Sequence, residues 1–106
     1  MSIKICDYNF EGPHNYPDDI DCLKENSGAY VILEKNSEGK YSILDIGESA
    51  QVRTSIENHD RSSCWTKNSN GSLYVAVLYT LNKQPPGRME VEQALRGNFD
   101  LPCGNK

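Results

Sequence analysis

Apolar runs and polar breaks are set apart most clearly between Gly28 and Ser49. Two apolar runs, residues 29–33 and 41–46, flank a polar stretch, residues 36–40, that contains Gly39. Both runs are rich in β-branched and aromatic residues, and a glycine in the connection supplies the backbone freedom a tight turn needs. The pattern predicts a β-hairpin. One residue interrupts it. Asp45 sits among Ile43, Leu44 and Ile46, where a carboxylate is costly unless it has a partner or a task.

The period changes after the hairpin. Ser49 is a suitable helix N-cap, and Ala50, Val52 and Ile56 then form a helical apolar face ending near His59. Arg53, Glu57 and Arg61 fall on the charged side of that helix. Residues 60–71 are polar and irregular around Cys64-Trp65, which reads as packing, and 68–71 mark a turn. Residues 72–80 are apolar on both faces, as expected of a central strand covered on each side. A Pro-Pro loop over 82–87 leads to a helix over 88–96, with Val91, Ala94 and Leu95 toward the core and Gly97-Asn98 at its end. Arg88, Glu92 and Arg96 share one stripe at i, i+4, i+8. The tail from Phe99 to Gly104 is irregular.

The first 27 residues form an arm. Ile3, Ile5 and Phe10 suit an edge strand or a packing arm, and residues 12–17 read as loop. Asp18 and Asp19 before Ile20 and Leu23 suit a short helix with acids in its first turn. The chain is one domain: this arm, and a core over 28–104. The core order is strand, strand, helix, strand, helix. That predicts an α+β fold, a small three-stranded antiparallel sheet flanked by helices.

Composition narrows the function. The 106 residues carry 11 Lys and Arg against 15 Asp and Glu, a net charge of −4. A free-standing nucleic-acid binder usually has a basic footprint, so affinity for a phosphate backbone would need a local patch, a partner protein or a second copy. No apolar run spans a bilayer, and residues 1–7 lack the apolar segment of a secretory signal. No membrane and a cytoplasmic location are the expectations, with Cys6, Cys22, Cys64 and Cys103 as free thiols. Their spacing argues against a zinc knuckle with His14 or His59.

Several residues, taken in order, resemble the GIY-YIG nuclease superfamily. Gly28-Ala29-Tyr30 stands for its first motif and Asp45-Ile46-Gly47 for its second, followed by Glu48-Ser49. Val52-Arg53, Ile56 and His59-Asp60-Arg61 follow in the helix, then Cys64-Trp65. Arg88, Val91-Glu92 and Leu95-Arg96 match the second helix, and Pro102-Cys103-Gly104 the end. The resemblance implies an endonuclease that hydrolyses phosphodiesters with one divalent cation, Mg2+ or Mn2+. It assigns Glu92 to the metal and Tyr30 to the nucleophile or phosphate. His59 would orient the nucleophile or touch phosphate, and an arginine fork would bind phosphate oxygens. The chain departs from the family twice. Asp45 stands for the second tyrosine, and Ser55 stands where the family has its helix arginine, with Arg53 two residues earlier. Asp45 would then be a general base or second metal ligand, with Arg53 as the nearby cation.

Each residue also has a plainer meaning. Tyr30 suits a core position with its hydroxyl satisfied. Glu92 suits the middle of a solvated ladder. His59 suits a helix C-terminus, where it complements the dipole. Two other functions therefore stay open: a non-catalytic nucleic-acid- or protein-binding module that has lost its site, indicated by Asp45 and Ser55, and a structural domain, indicated by the acidic charge.

Overall fold

The computed structural model describes residues 2–59, 61–69, 72–80, 87–99 and 101–103, with only the backbone of Arg88. Met1, Asp60, residues 70–71, residues 81–86, Asp100 and residues 104–106 lie outside the described residues, and with them most of the expected Pro-Pro loop and the Arg88 side chain of the expected helix stripe.

The sheet has five strands, not three. In chain order they are β1 (Ser2–Ile5), β2 (Tyr8–Tyr16), β3 (Gly28–Lys35), β4 (Tyr41–Ser49) and β5 (Ser72–Tyr79). Their spatial order is β1-β2-β5-β3-β4, antiparallel throughout. The expected three-stranded sheet is therefore wrong. The N-terminal arm folds into a β1–β2 hairpin and adds two strands beside β5. Residues 12–16, expected as loop, belong to β2. The register slips between Glu11 and His14, and this irregularity absorbs Gly12-Pro13. Gly12 has φ +114° there, and proline is tolerated in a sheet at such a bulge because it has no N–H for the ladder.

Three helices cover the sheet: α1 (Val52–Glu57), α2 (Ser62–Lys67) and α3 (Arg88–Arg96). Residues 62–67, expected to be irregular, form α2, and the short helix near Ile20 is a single 3-10 turn, Ile20–Cys22. Ser49 does not cap α1 directly. Its Oγ accepts the N–H of Gln51 at 2.9 Å, while the Thr54 N–H donates to Glu25 Oε1 at 2.9 Å. α3 has the expected bounds, but Ala94 faces solvent, and Val91 and Leu95 alone of the expected trio are buried.

Strand alternation divides the core into two layers. Tyr30, Ile32, Val75 and Val77 face Val52, Ile56 and Trp65 on the side of α1 and α2. Ala29, Val31, Leu33 and Ala76 face Val91 and Leu95 of α3, with Phe10 and Ile46. The β5 segment Val75–Val77 is fully buried at the third of five positions, as its two-sided apolar pattern requires. No helix among the described residues is long and apolar enough to cross a membrane.

Candidate functional site: a buried carboxylate at the edge of the sheet

β4 is an edge strand with a break in register. Ile32 pairs with Asp45 but Leu33 pairs with Ile43, so Leu44 is the extra residue of a bulge. A bulge re-aims the residues around it. Leu44 joins the core layer that holds Trp65, and the next residue, Asp45, bonds to Trp65 as well. Consecutive residues thus serve the same side of the sheet, which regular alternation forbids.

Asp45 is the buried charged residue of the core. Its Oδ2 accepts from Trp65 Nε1 and from Arg61 Nε, both at 2.8 Å. Its Oδ1 accepts from the Ile46 N–H at 2.8 Å and from Arg61 Nη2 at 3.2 Å. Arg61 therefore holds the carboxylate through two nitrogens, the strongest common geometry for such a pair. Arg96 Nη2 lies 3.8 Å from Oδ1. A carboxylate offers about four lone-pair positions, and these four donors occupy them. Asp45 acts here as an internal anion that gathers donors. Its lone pairs are engaged by protein groups, which leaves little room for a metal.

The other expected residues divide. Tyr30 lies beneath this strand end, 2% exposed, directly across from Gly47. A Cβ at Gly47 would overlap Tyr30 Cζ and Oη, so the glycine makes room for the ring. Burial first of all pushes the Tyr30 hydroxyl up from its ordinary pKa; the hydroxyl of Ser55 and the charge of Arg61 pull it down, and the charges of Asp45 and Glu92 raise it. The phenol stays neutral around pH 7 and is a hydrogen-bonding group, not a ready-made anion. Ser55, where the sequence resemblance leads one to expect an arginine, is thus a Tyr30 partner.

His59 stands between two rings, edge-on to Tyr30 with centroids 6.0 Å apart and tilted on Trp65 at 4.8 Å. Its Nδ1 accepts the Arg61 N–H at 3.1 Å, an arrangement that puts a neutral ring's hydrogen on Nε2. Glu92 comes from α3, on the opposite face, with its side chain 22% exposed. Its Oε2 accepts from Arg96 Nε at 3.1 Å, and Arg96 Nη2 also donates to the Ile46 carbonyl. Arg96 so carries the cluster around the edge of β4, from Glu92 to Asp45.

Arg53 is not part of the cluster. Val52 and Ile56 turn one face of α1 inward, and Arg53 projects to the surface, 2.9 Å from Asp21 and 3.5 Å from Glu57. The cation beside Tyr30 and Asp45 is Arg61, whose side chain is 38% exposed. Arg61, Trp65 and Arg96 were not marked as site residues by sequence. A usable signal was present: a carboxylate in an apolar strand demands buried donors, and these residues lie in the segments that follow it.

The expected free thiols are also revised. Cys64 and Cys103, 39 residues apart in sequence, form a disulfide with their Cα atoms 6.0 Å apart; Cys6 and Cys22 are free and exposed. Among the described residues no group of three or more His, Cys, Asp or Glu side chains could hold a metal ion. Of the expected metal site the structure describes the Glu92 carboxylate alone, and Arg96 Nε already bonds to it; a single carboxylate would hold magnesium only with water in most of its coordination positions. Comparisons with known protein families, curated proteins and solved structures find no match to this chain.

Proposed function

We propose that the end of β4 around Asp45, Ile46 and Gly47 is a site for nucleic-acid phosphodiesters and that the protein hydrolyses them with a divalent cation, Mg2+ or Mn2+, on Glu92. The observation that carries this reading is convergence. Four residues from three segments gather around one buried carboxylate: Tyr30 of β3, His59 and Arg61 of the stretch between α1 and α2, and Glu92 of α3, which reaches it from the other face through Arg96. The motif resemblance singles out three of the four, and the fourth supplies the guanidinium that such chemistry uses.

The geometry supports a role for each residue in this reading. Arg61 is the partly exposed cation, oriented by Asp45, and is the guanidinium that would meet phosphate oxygens. Asp45 is a positioning residue. His59 carries the side-chain type that exchanges protons near neutral pH, and its Nε2 is the atom that would do so. Tyr30, held neutral, would donate a hydrogen bond. The cation, when bound, would offset charge on the phosphoryl group and acidify a bound water. Two acids, Asp45 and Glu92, balance two arginines, Arg61 and Arg96, so the cluster has little net attraction for a polyanion. A partner protein or second copy would then supply grip.

The second reading is a binding module without catalysis. Its specific support is the engagement of the Asp45 carboxylate by four donors together with the burial of Tyr30. Plasmid nicking and RNA cleavage in magnesium or manganese separate the two, with Glu92→Ala and His59→Ala beside the parent chain. Metal-dependent cleavage that both variants lose supports hydrolysis. No cleavage of DNA or RNA, and no metal-induced shift of the Glu92 resonances, leaves the binding module.

A further inference from the structure

We infer that the Cys64–Cys103 disulfide is a reducible latch on the Asp45 cluster, opened by an external dithiol. The inference rests on how the disulfide is placed and is independent of any hydrolytic activity. Cys64 lies in α2, next to Trp65 and three residues after Arg61, so the donors that hold Asp45 and one sulfur of the bridge share a short segment. Cys103 lies in the tail, and its backbone N–H donates to the Leu44 carbonyl at 2.9 Å, one residue before Asp45. The bridge thus joins the element that supplies the donors to a segment bonded beside their acceptor.

α2 depends on such a tether. It has six residues and no side-chain cap at its start, far short of a helix that persists alone. Among the described residues, no other element packs extensively along its backbone. Burial of Trp65, the bonds to Asp45 and the disulfide are what fix it in place.

The bridge is also open to exchange. Cys64 is half-buried while Cys103 is 2% exposed, so Cys64 Sγ is the sulfur an incoming thiolate meets. Attack there forms a mixed disulfide and breaks the Cys64–Cys103 bond; Cys103 Sγ leaves with the electron pair and takes a proton. The second thiol of the dithiol then displaces Cys64 Sγ, which is protonated in turn. The dithiol is oxidised to its cyclic disulfide, and its two electrons and two protons end on the two cysteines. Asn68 Nδ2 lies 3.3 Å from Cys64 Sγ and 3.7 Å from Cys103 Sγ, where its N–H groups can stabilise the departing thiolates.

The molecule has a built-in reporter, because Trp65 is its single tryptophan. The full chain is titrated with dithiothreitol while Trp65 fluorescence, the Trp65 indole N–H resonance and the number of reactive thiols are followed. The expected result is a rise from the thiols of Cys6 and Cys22 to those of all four cysteines. It is accompanied by a reversible change in Trp65 emission and faster exchange of its indole N–H, while the amides of β3 and β5 stay protected. Asn68→Ala should slow the reaction about fivefold, the scale of one weak hydrogen bond. The chain with Cys64→Ser and Cys103→Ser should show the reduced-state signal and ignore the dithiol. Four reactive thiols before any reductant, under air and with the chain folded, overturn the latch. So does full reduction with an unchanged Trp65 resonance, a bridge that resists dithiol in the folded chain, or loss of protection in β3 and β5 together with α2, which would make the bridge a general staple.

Discussion

The indole Nε1 of Trp65 donates to Asp45 Oδ2 at 2.8 Å, and both side chains are shut off from solvent. Twenty residues of sequence separate them, and the bulge at Leu44 is what points the carboxylate toward the indole. The partners of a buried charge cannot be removed singly without leaving an uncompensated group. Asp45→Asn keeps the shape but gives up the charge that Arg61 uses. It should cost about 2–4 kcal/mol in urea unfolding, near the range for breaking a buried pair but eased because Arg61 reaches solvent. Trp65→Phe should cost a similar amount, by loss of the donor and of packing volume. Because the two act through one bond, the double variant should be less destabilised than the sum of the singles. Simple additivity would show that the bond contributes little.

Tyr30 and Gly47 make a steric pair. The ring occupies the space that a side chain at 47 would need. Gly47→Ala should destabilise the fold by about 1–3 kcal/mol, the range for an overfilled core. Tyr30→Leu, itself destabilising, should remove most of the extra cost of Gly47→Ala when the two are combined. Equal costs of Gly47→Ala in both backgrounds would place its origin in the β4 backbone instead of the ring.

The readable parts of the chain were those whose partners are local. The β3–β4 hairpin shows in its two apolar runs and its turn, and α3 in its spacing of Val91 and Leu95. β2 was hidden because Gly12, Pro13 and Pro17 disfavour a strand, and only pairing with β5 across a register shift makes one of it. α2 was hidden for the opposite reason: six residues carry little periodicity, and the helix forms because Trp65 is buried under β4. At the site, Asp45 announced itself as a carboxylate in an apolar run. Its partners did not, since a bulge, which sequence pattern does not reveal, decides which way it points. Arg53 looked nearer to the motif than Arg61, yet helix phase carries Arg53 outward.

Burial holds the Tyr30 hydroxyl above its ordinary pKa of 10.0, and it does the same to Tyr16 and Tyr79. A phenol whose folded pKa is raised contributes stability that is complete below the unfolded value and is lost as pH rises through the folded one. Unfolding free energy should thus decline from about pH 10 upward. Tyr30→Phe should flatten part of that decline. Phenolate absorbance should show a component that ionises above pH 10 or together with unfolding and that is missing from Tyr30→Phe. An early, reversible ionisation of all six tyrosines in the folded chain would contradict the burial of Tyr30.

The entry into α1 depends on an acid from outside the helix. Glu25 Oε1 accepts the Thr54 N–H at 2.9 Å, and its Oε2 accepts from the Thr54 hydroxyl. The Thr54 hydroxyl, then its N–H, holds the Glu25 carboxyl below its ordinary value of 4.5. The sign is opposite to that of Tyr30. A lowered carboxyl contributes stability above the unfolded value, and this is lost as pH falls through the folded one. On acidification below 4.5, the Thr54 amide should lose its hydrogen-bonded shift and exchange faster, while β3 and β5 remain protected. Glu25→Gln keeps an acceptor but cannot titrate, so its Thr54 amide should be less dependent on pH over the same window. A Thr54 amide that shows the same acid response in Glu25→Gln would assign the transition to another carboxyl and remove Glu25 as the cap of α1.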